Sequence, residues 1–161
     1  MPFFYDLSRS VTSNAAAGTA STHLWGKTIA NQETLGIYGA YAASRFGTAG
    51  GAQLRALTNT GVTASGGTSQ VPQARNLRGS VAAQSTWFND GTAITVGTTL
   101  TQRLSIGFAQ TGGMGGWVPV VPGDAFQMMP NALSPVDVEW VSAASAAAVT
   151  LDVTLELGEG I

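Results

Sequence analysis

Near its end the chain alternates residue by residue. Val149, Leu151, Val153, Leu155 and Leu157 are apolar, and Thr150, Asp152, Thr154 and Glu156 between them are polar. Successive side chains of a strand point to opposite faces, so this spacing describes a half-buried β-strand and fits no helix. Shorter stretches repeat the pattern. Leu100, Leu104, Ile106 and Phe108 alternate with Thr101, Arg103, Ser105 and Gly107, with Gln102 as a polar intruder on the apolar face. Val136, Val138 and Trp140 alternate with Asp137 and Glu139.

Between residues 78 and 157 strand signals recur every 8–12 residues or so, the spacing of a sandwich or barrel. Arg78–Phe88 reads as a strand followed by an Asn89-Asp90-Gly91 turn, because those residues tolerate positive φ. Ala93–Val96 continues as a strand. The glycines around Met114 (Gly112, Gly113, Gly115, Gly116) read as a loop, Trp117–Val121 as a strand closed by Pro122-Gly123, and Ala125–Met129 as a short strand stopped by Pro130. The fold class this predicts is all-β, an antiparallel β-sandwich of jelly-roll type.

The first half is thinner. Of 36 Val, Ile, Leu and Phe residues, 13 fall in residues 1–75 and 23 in residues 76–161. Most of the core is therefore expected from the second half. Residues 1–34 show no sustained period and read as an extended N-terminal arm, with residues 35–161 as the body. Within the body, Leu35–Gly47 reads as one or two strands, and residues 48–76 as loop around a strand at Leu54–Thr58. The arm carries Phe3, Phe4, Tyr5, Arg9 and Trp25, the candidate partner-binding residues. Deleting residues 1–20 should leave a folded protein that no longer binds its partner.

Charge is scarce. Seven basic and nine acidic residues make 10% of 161, against roughly 25% in ordinary domains. Residues 1–75 carry five basic groups and two acidic ones, residues 76–161 two and seven. That split suggests an acidic partner for the first half. Without Cys there is neither a disulfide nor a thiolate zinc site. His23 is the lone histidine. It lies in polar sequence with no Gly-x-Ser-x-Gly elbow elsewhere, and reads as a surface or interface residue. Asp137 with Glu139, and Asp152 with Glu156, face away from clean apolar stripes and read as solvated strand faces rather than a glycosidase pair. No cofactor and no enzymatic activity are expected. Basic residues are too scattered for a nucleic-acid groove. No apolar run reaches the 18 or so residues of a membrane span, and Asp6 and Arg9 interrupt any signal-peptide core.

Two resemblances add to this. Val121-Pro122-Gly123-Asp124-Ala125-Phe126 leading to Pro130 resembles the second-hairpin signature of cupins, which are jelly rolls; Asn131, Ala132 and Leu133 follow where cupins place a His ligand. Val118–Met129 and Val136–Leu157, with the Cys-free Ala/Gly/Thr-rich composition, resemble the small head-decoration (cement) proteins of tailed bacteriophages. That resemblance implies a structural virion protein on the outer capsid surface. It would clamp neighbouring capsomers of the major capsid protein, self-associate as a homotrimer, and bind neither nucleic acid nor membrane. The alternative reading is a glycan-binding fibre or adhesin module using exposed Trp and the Gly112–Gly116 loop. A degenerate cupin-like enzyme ranks third.

Overall fold

The structure, a computed structural model, describes residues 3–12, 21–28, 35–46, 51–59, 64–75, 82–83, 85–95, 97–98, 100–109, 112–119, 126–128, 137–142 and 150–159. Every regular element among them is a strand. In chain order these are β1 (Phe3–Thr12), β2 (Ser21–Lys27), β3 (Leu35–Phe46), β4 (Gly51–Asn59), β5 (Ser65–Gln70), β6 (Gln73–Ala74), β7 (Thr86–Thr95), β8 (Leu100–Ala109), β9 (Met114–Trp117), β10 (Phe126–Met128), β11 (Asp137–Ser142) and β12 (Thr150–Glu159).

They form two six-stranded antiparallel sheets. The first runs β10-β3-β12-β1-β6, with β9 also on β3; the second runs β5-β7-β2-β11-β4-β8. The pairing is nested. β1 pairs with β12, β2 with β11, β3 with β9 and β10, and β4 with β8. A long antiparallel ribbon rolled into two sheets gives this order, so the sandwich is a jelly roll. The β5 strand and β7 extend the second sheet beyond β2.

The sequence-predicted arm is not an arm. Phe3–Thr12 pairs with β12 along its whole length, from Phe3 opposite Glu159 to Thr12 opposite Thr150. Ser21–Lys27 lies inside the second sheet between β7 and β11. The local pattern of these segments is weak because bulky residues, Phe4 and Trp25, occupy the side away from the core and Arg9 shares the side of Tyr5 and Leu7. Tyr5, Leu7 and Leu24 nevertheless point into the sandwich and are buried. The core also departs from the expected weighting. Among the described residues the first half supplies Tyr5, Leu7, Leu24, Leu35, Ile37 and Leu54, which meet Trp87, Ile106, Leu151, Val153, Leu155 and Leu157 from the second. The halves interleave, with β12 between β1 and β3. The charge split along the chain is therefore not a split between two faces.

Irregularities decide which residues face inward. In β3, Leu35 and Ile37 are buried, then Ala40, Ala42 and Ser44. The parity changes because Leu157 pairs with Ile37 and Glu156 with Gly39, leaving Tyr38 as the extra residue of a bulge. Asn89-Asp90-Gly91 does not make a hairpin turn. Asn89 is opposite Thr68 and Ile94 opposite Gly66, so the intervening residues bulge within one strand. Residues that tolerate unusual φ serve here as a bulge instead of a turn. Met114–Trp117, read from sequence as part loop, is a strand, because its glycines fit a close pairing with β3. The cupin-like segment lies largely outside the described residues.

A buried polar chain closes one end of the core. Glu159 is buried and accepts from the Ser85 backbone N–H at 2.9 Å and from the Ser85 hydroxyl, which in turn accepts from the Trp87 indole N–H at 3.0 Å. Replacing Glu159 with Ala leaves the Ser85 N–H without that acceptor. We expect a loss of about 1–3 kcal/mol, read as a fall in thermal midpoint of roughly 2–4 °C per kcal/mol for a chain of this size. An unchanged midpoint would rule out a stabilising role for the chain of bonds.

Candidate binding surface

The outer face of the first sheet is built of cross-strand rows. One row runs Ser8, Thr154, Tyr41, Gly116, and the next runs Ser10, Asp152, Ala43, Met114. On the β1 side these rows are polar and tied together. Ser8 Oγ and Thr154 Oγ1 lie 2.9 Å apart, and Ser10 Oγ donates to Asp152 Oδ1. A third row carries Asp6 opposite Glu156. Arg75, just after β6, reaches over both, 2.7 Å from Asp6 Oδ1 and 2.7 Å from Glu156 Oε1. The hydrogen bond to Asp6 is the main cause that holds the Arg75 guanidinium above its ordinary pKa, against a smaller lowering by desolvation. The guanidinium is partly exposed, so these pairs add little to stability.

On the β3 and β9 side the same rows become apolar. Tyr41 is exposed, and its ring lies over Gly116, where an added Cβ would come within 2.7 Å of Tyr41 Cδ1. Glycine at 116 is what lets the ring lie flat across β9. Met114 is 79% exposed and Val118 53%. Together with Ala42, Ala43, Gly115, Trp117, Asp152 and Thr154 they line an open groove of about 470 Å³. Large apolar side chains gathered around one groove are what interaction surfaces present. Among the described residues no three His, Cys, Asp or Glu side chains gather as a metal site would require.

The sequence-predicted partner-binding residues do not assemble into one surface. Phe4 is on this face, exposed, with its ring edge-on to Tyr38 at 5.4 Å. Tyr5 is 2% exposed and belongs to the core. Arg9 is half-buried and donates through Nε to Gln70 Oε1 and through Nη1 to the Ser8 carbonyl at 2.9 Å. Trp25 is 3% exposed, in the other sheet. It stacks on Phe88 with ring centroids 4.5 Å apart, donates to the Gly66 carbonyl at 3.0 Å, and has Lys27 Nζ 5.8 Å from its ring. The side chains of Phe3, His23, Asp137 and Glu139 lie outside the described residues. Asp152 and Glu156 do face outward, as their alternation indicates, and both are engaged in the contacts above.

Sequence reasoning named part of the groove, the Gly112–Gly116 segment for the glycan-binding alternative and Asp152 and Thr154 as outward residues, and missed Tyr41 and Val118. Tyr41 faces outward because of the Tyr38 bulge, which no local pattern announces. Met114 had a usable signal, since a long apolar side chain between glycine pairs has no bulky neighbours to hide it.

No protein-family model matches the chain. No curated protein matches it either. Among solved structures, a chain from "Structure of infectious bursal disease virus Gx strain" aligns at 16% identity with a TM-score of 0.22. The alignment covers 99% of this chain and 42% of that one. A superposition at that score does not establish a common fold, and the jelly-roll assignment rests on the strand pairing alone.

Proposed function

We propose that the chain is a structural protein of a virion that binds the outer capsid surface, cements neighbouring capsomers of the major capsid protein, and does so as a homotrimer. The observation that carries this reading is the outer face of the first sheet. It gathers Tyr41, Met114 and Val118 around one groove in a chain with only 10% charged residues. Exposed apolar surface with little charge favours association. The nested jelly roll is an architecture that viral capsid domains use, as do lectins and cupins, so the fold alone does not select among them. A symmetric oligomer would multiply weak contacts of this kind by avidity.

Capsids assembled from the major capsid gene of the same genome provide the test. The wild-type chain is expected to sediment with expanded capsids in a saturable manner. Met114→Lys with Val118→Lys should weaken that binding by about tenfold or more, because two charges would be buried in an apolar contact. Both side chains are exposed, so the variant should melt like the wild type. Native mass measurement should give three times 16.4 kDa. A wild-type chain that ignores capsids at micromolar concentration sinks the proposal, and a monomeric mass sinks its trimer.

A further inference from the structure

We infer that Arg55, on the outer face of the second sheet, is an anchor for a carboxylate side chain, Asp or Glu, presented by a protein partner. This site lies on the opposite sheet from the groove, and its ligand does not depend on the capsid reading.

Arg55 is placed by the ladder of β4. Leu54 and Ala56 are buried in the core, so the alternation turns Arg55 to the outside. It stands between Val141 of β11 and Ser105 of β8. The side chain is half-buried. Its Nε is buried and donates to nothing, and among the described residues no other buried side-chain nitrogen or oxygen lacks a hydrogen bond. The other cations with described side chains all have a partner. Arg9 has Gln70, Lys27 the Trp25 ring, Arg75 both Asp6 and Glu156, and Arg103 the hydroxyl of Thr58. The side chains of Arg45 and Arg78 lie outside the described residues.

A guanidinium is never deprotonated in a protein, so Arg55 keeps its charge. A buried donor without an acceptor costs the fold stability and returns none. Such a group is explained by an acceptor that arrives from outside. Nε is the guanidinium nitrogen that is both sealed and unbonded, so the approach is from the Nη1 and Nη2 end, whose two N–H groups match the two oxygens of a carboxylate. The surroundings select the anion. Gln53 and Ser105 are exposed and uncharged, Leu57 is half-buried, and a Cβ built on Gly107 would meet nothing within 4 Å. The ground beside Arg55 is therefore low, open and neutral. One guanidinium balances one carboxylate. A phosphate group carries nearly two charges, and nucleic acid calls for several cations in a row. Arg103, the other described cation of the β4–β8 pair, is held by Thr58.

The test titrates the full ¹⁵N-labelled chain with acetyl-Leu-Glu-Leu-amide and with its glutamine counterpart, which keeps the shape and removes the charge. The Arg55 Nε–H and the amides of Leu57, Ser105 and Gly107 report. The glutamate peptide should move these signals, and the glutamine peptide should bind about threefold to tenfold more weakly. Arg55→Met should abolish that difference. It should also melt at or above the wild-type midpoint, because it keeps an unbranched stem and removes an unbonded buried donor. The acid nearest by register is Glu139, in the next outward row opposite Leu57, with its side chain outside the described residues. A lower midpoint for Arg55→Met, matched by Glu139→Gln, would make the two an internal pair and overturn the inference. Equal binding of the two peptides, no shift at millimolar peptide, or stronger shifts from inorganic phosphate at matched ionic strength would each overturn it as well.

Discussion

Deleting residues 1–20 is expected to unfold the protein. β1 occupies an interior position in the first sheet, between β12 and β6. Its loss would strip one of the two partner strands from all of β12, from Thr150 to Glu159, leaving that edge unpaired. Tyr5 and Leu7 would leave the core, and burying each is worth about 1.5–3 kcal/mol. The two together approach the lower end of the roughly 5–15 kcal/mol that holds a domain folded, before the exposed flanks of Leu155 and Leu157 are considered. The truncated chain should show no cooperative melt by circular dichroism and should accumulate in the insoluble fraction. A soluble truncation with a wild-type melting curve would show that β1 is dispensable, as a docking arm would be.

Gly26→Val is expected to be the most damaging single substitution in the second sheet. Gly26 sits opposite Trp87, and the Trp87 indole lies across it. A Cβ at residue 26 would be 2.4 Å from Trp87 Cδ2 and Cε3. Trp87 is fully buried and cannot swing into solvent without opening the core. Moving it also breaks its hydrogen bond to Ser85, which is held in turn by Glu159. Overpacking of this kind costs about 1–3 kcal/mol, more where the neighbour is rigid. Gly26→Ala should fall in that range and Gly26→Val should exceed it, both measured by chemical denaturation. Pairing Gly26→Ala with Trp87→Leu gives the decisive cycle. If the clash is the cause, the double variant should lose at least about 0.5 kcal/mol less than the sum of the single losses. Strict additivity would place the damage elsewhere.

Several strands could be read from residues alone. β12 and β8 carry their alternation openly, and the structure places Leu151, Val153, Leu155 and Leu157 inside as that alternation requires. The Leu54–Thr58 signal is the middle of β4. β1 and β2 were not legible because their inward residues are few and separated by Ser, Thr and Gly, a composition that also suits loops. Their strand state comes from long-range ladders to β12 and β11, partners more than a hundred residues away. Strand propensity depends on such context more than helix propensity does.

The candidate surface shows the same division. That Asp152, Thr154 and Glu156 share a solvent-facing side of one strand follows from the two-residue period. That Tyr41 joins them required the extra residue at Tyr38, which reverses the parity of β3. That Met114 and Val118 flank the same groove required β9 to pair with β3 across some seventy residues of intervening chain.

By itself, then, the amino-acid order determined the β class, the antiparallel sandwich, and the inward residues of β12, with Leu104 and Ile106 of β8; the bulge at Arg103 interrupts the β8 alternation before Gln102. Those properties are local, because alternation acts between neighbours in the chain. Only the tertiary structure decided that the first thirty residues contribute strands of the sandwich, that Trp25 and Tyr5 are buried, and that an apolar groove with one carboxylate opens beside β9. Those properties depend on pairing partners and bulges, and hydrogen-bond ladders between distant segments leave no periodic trace in either one.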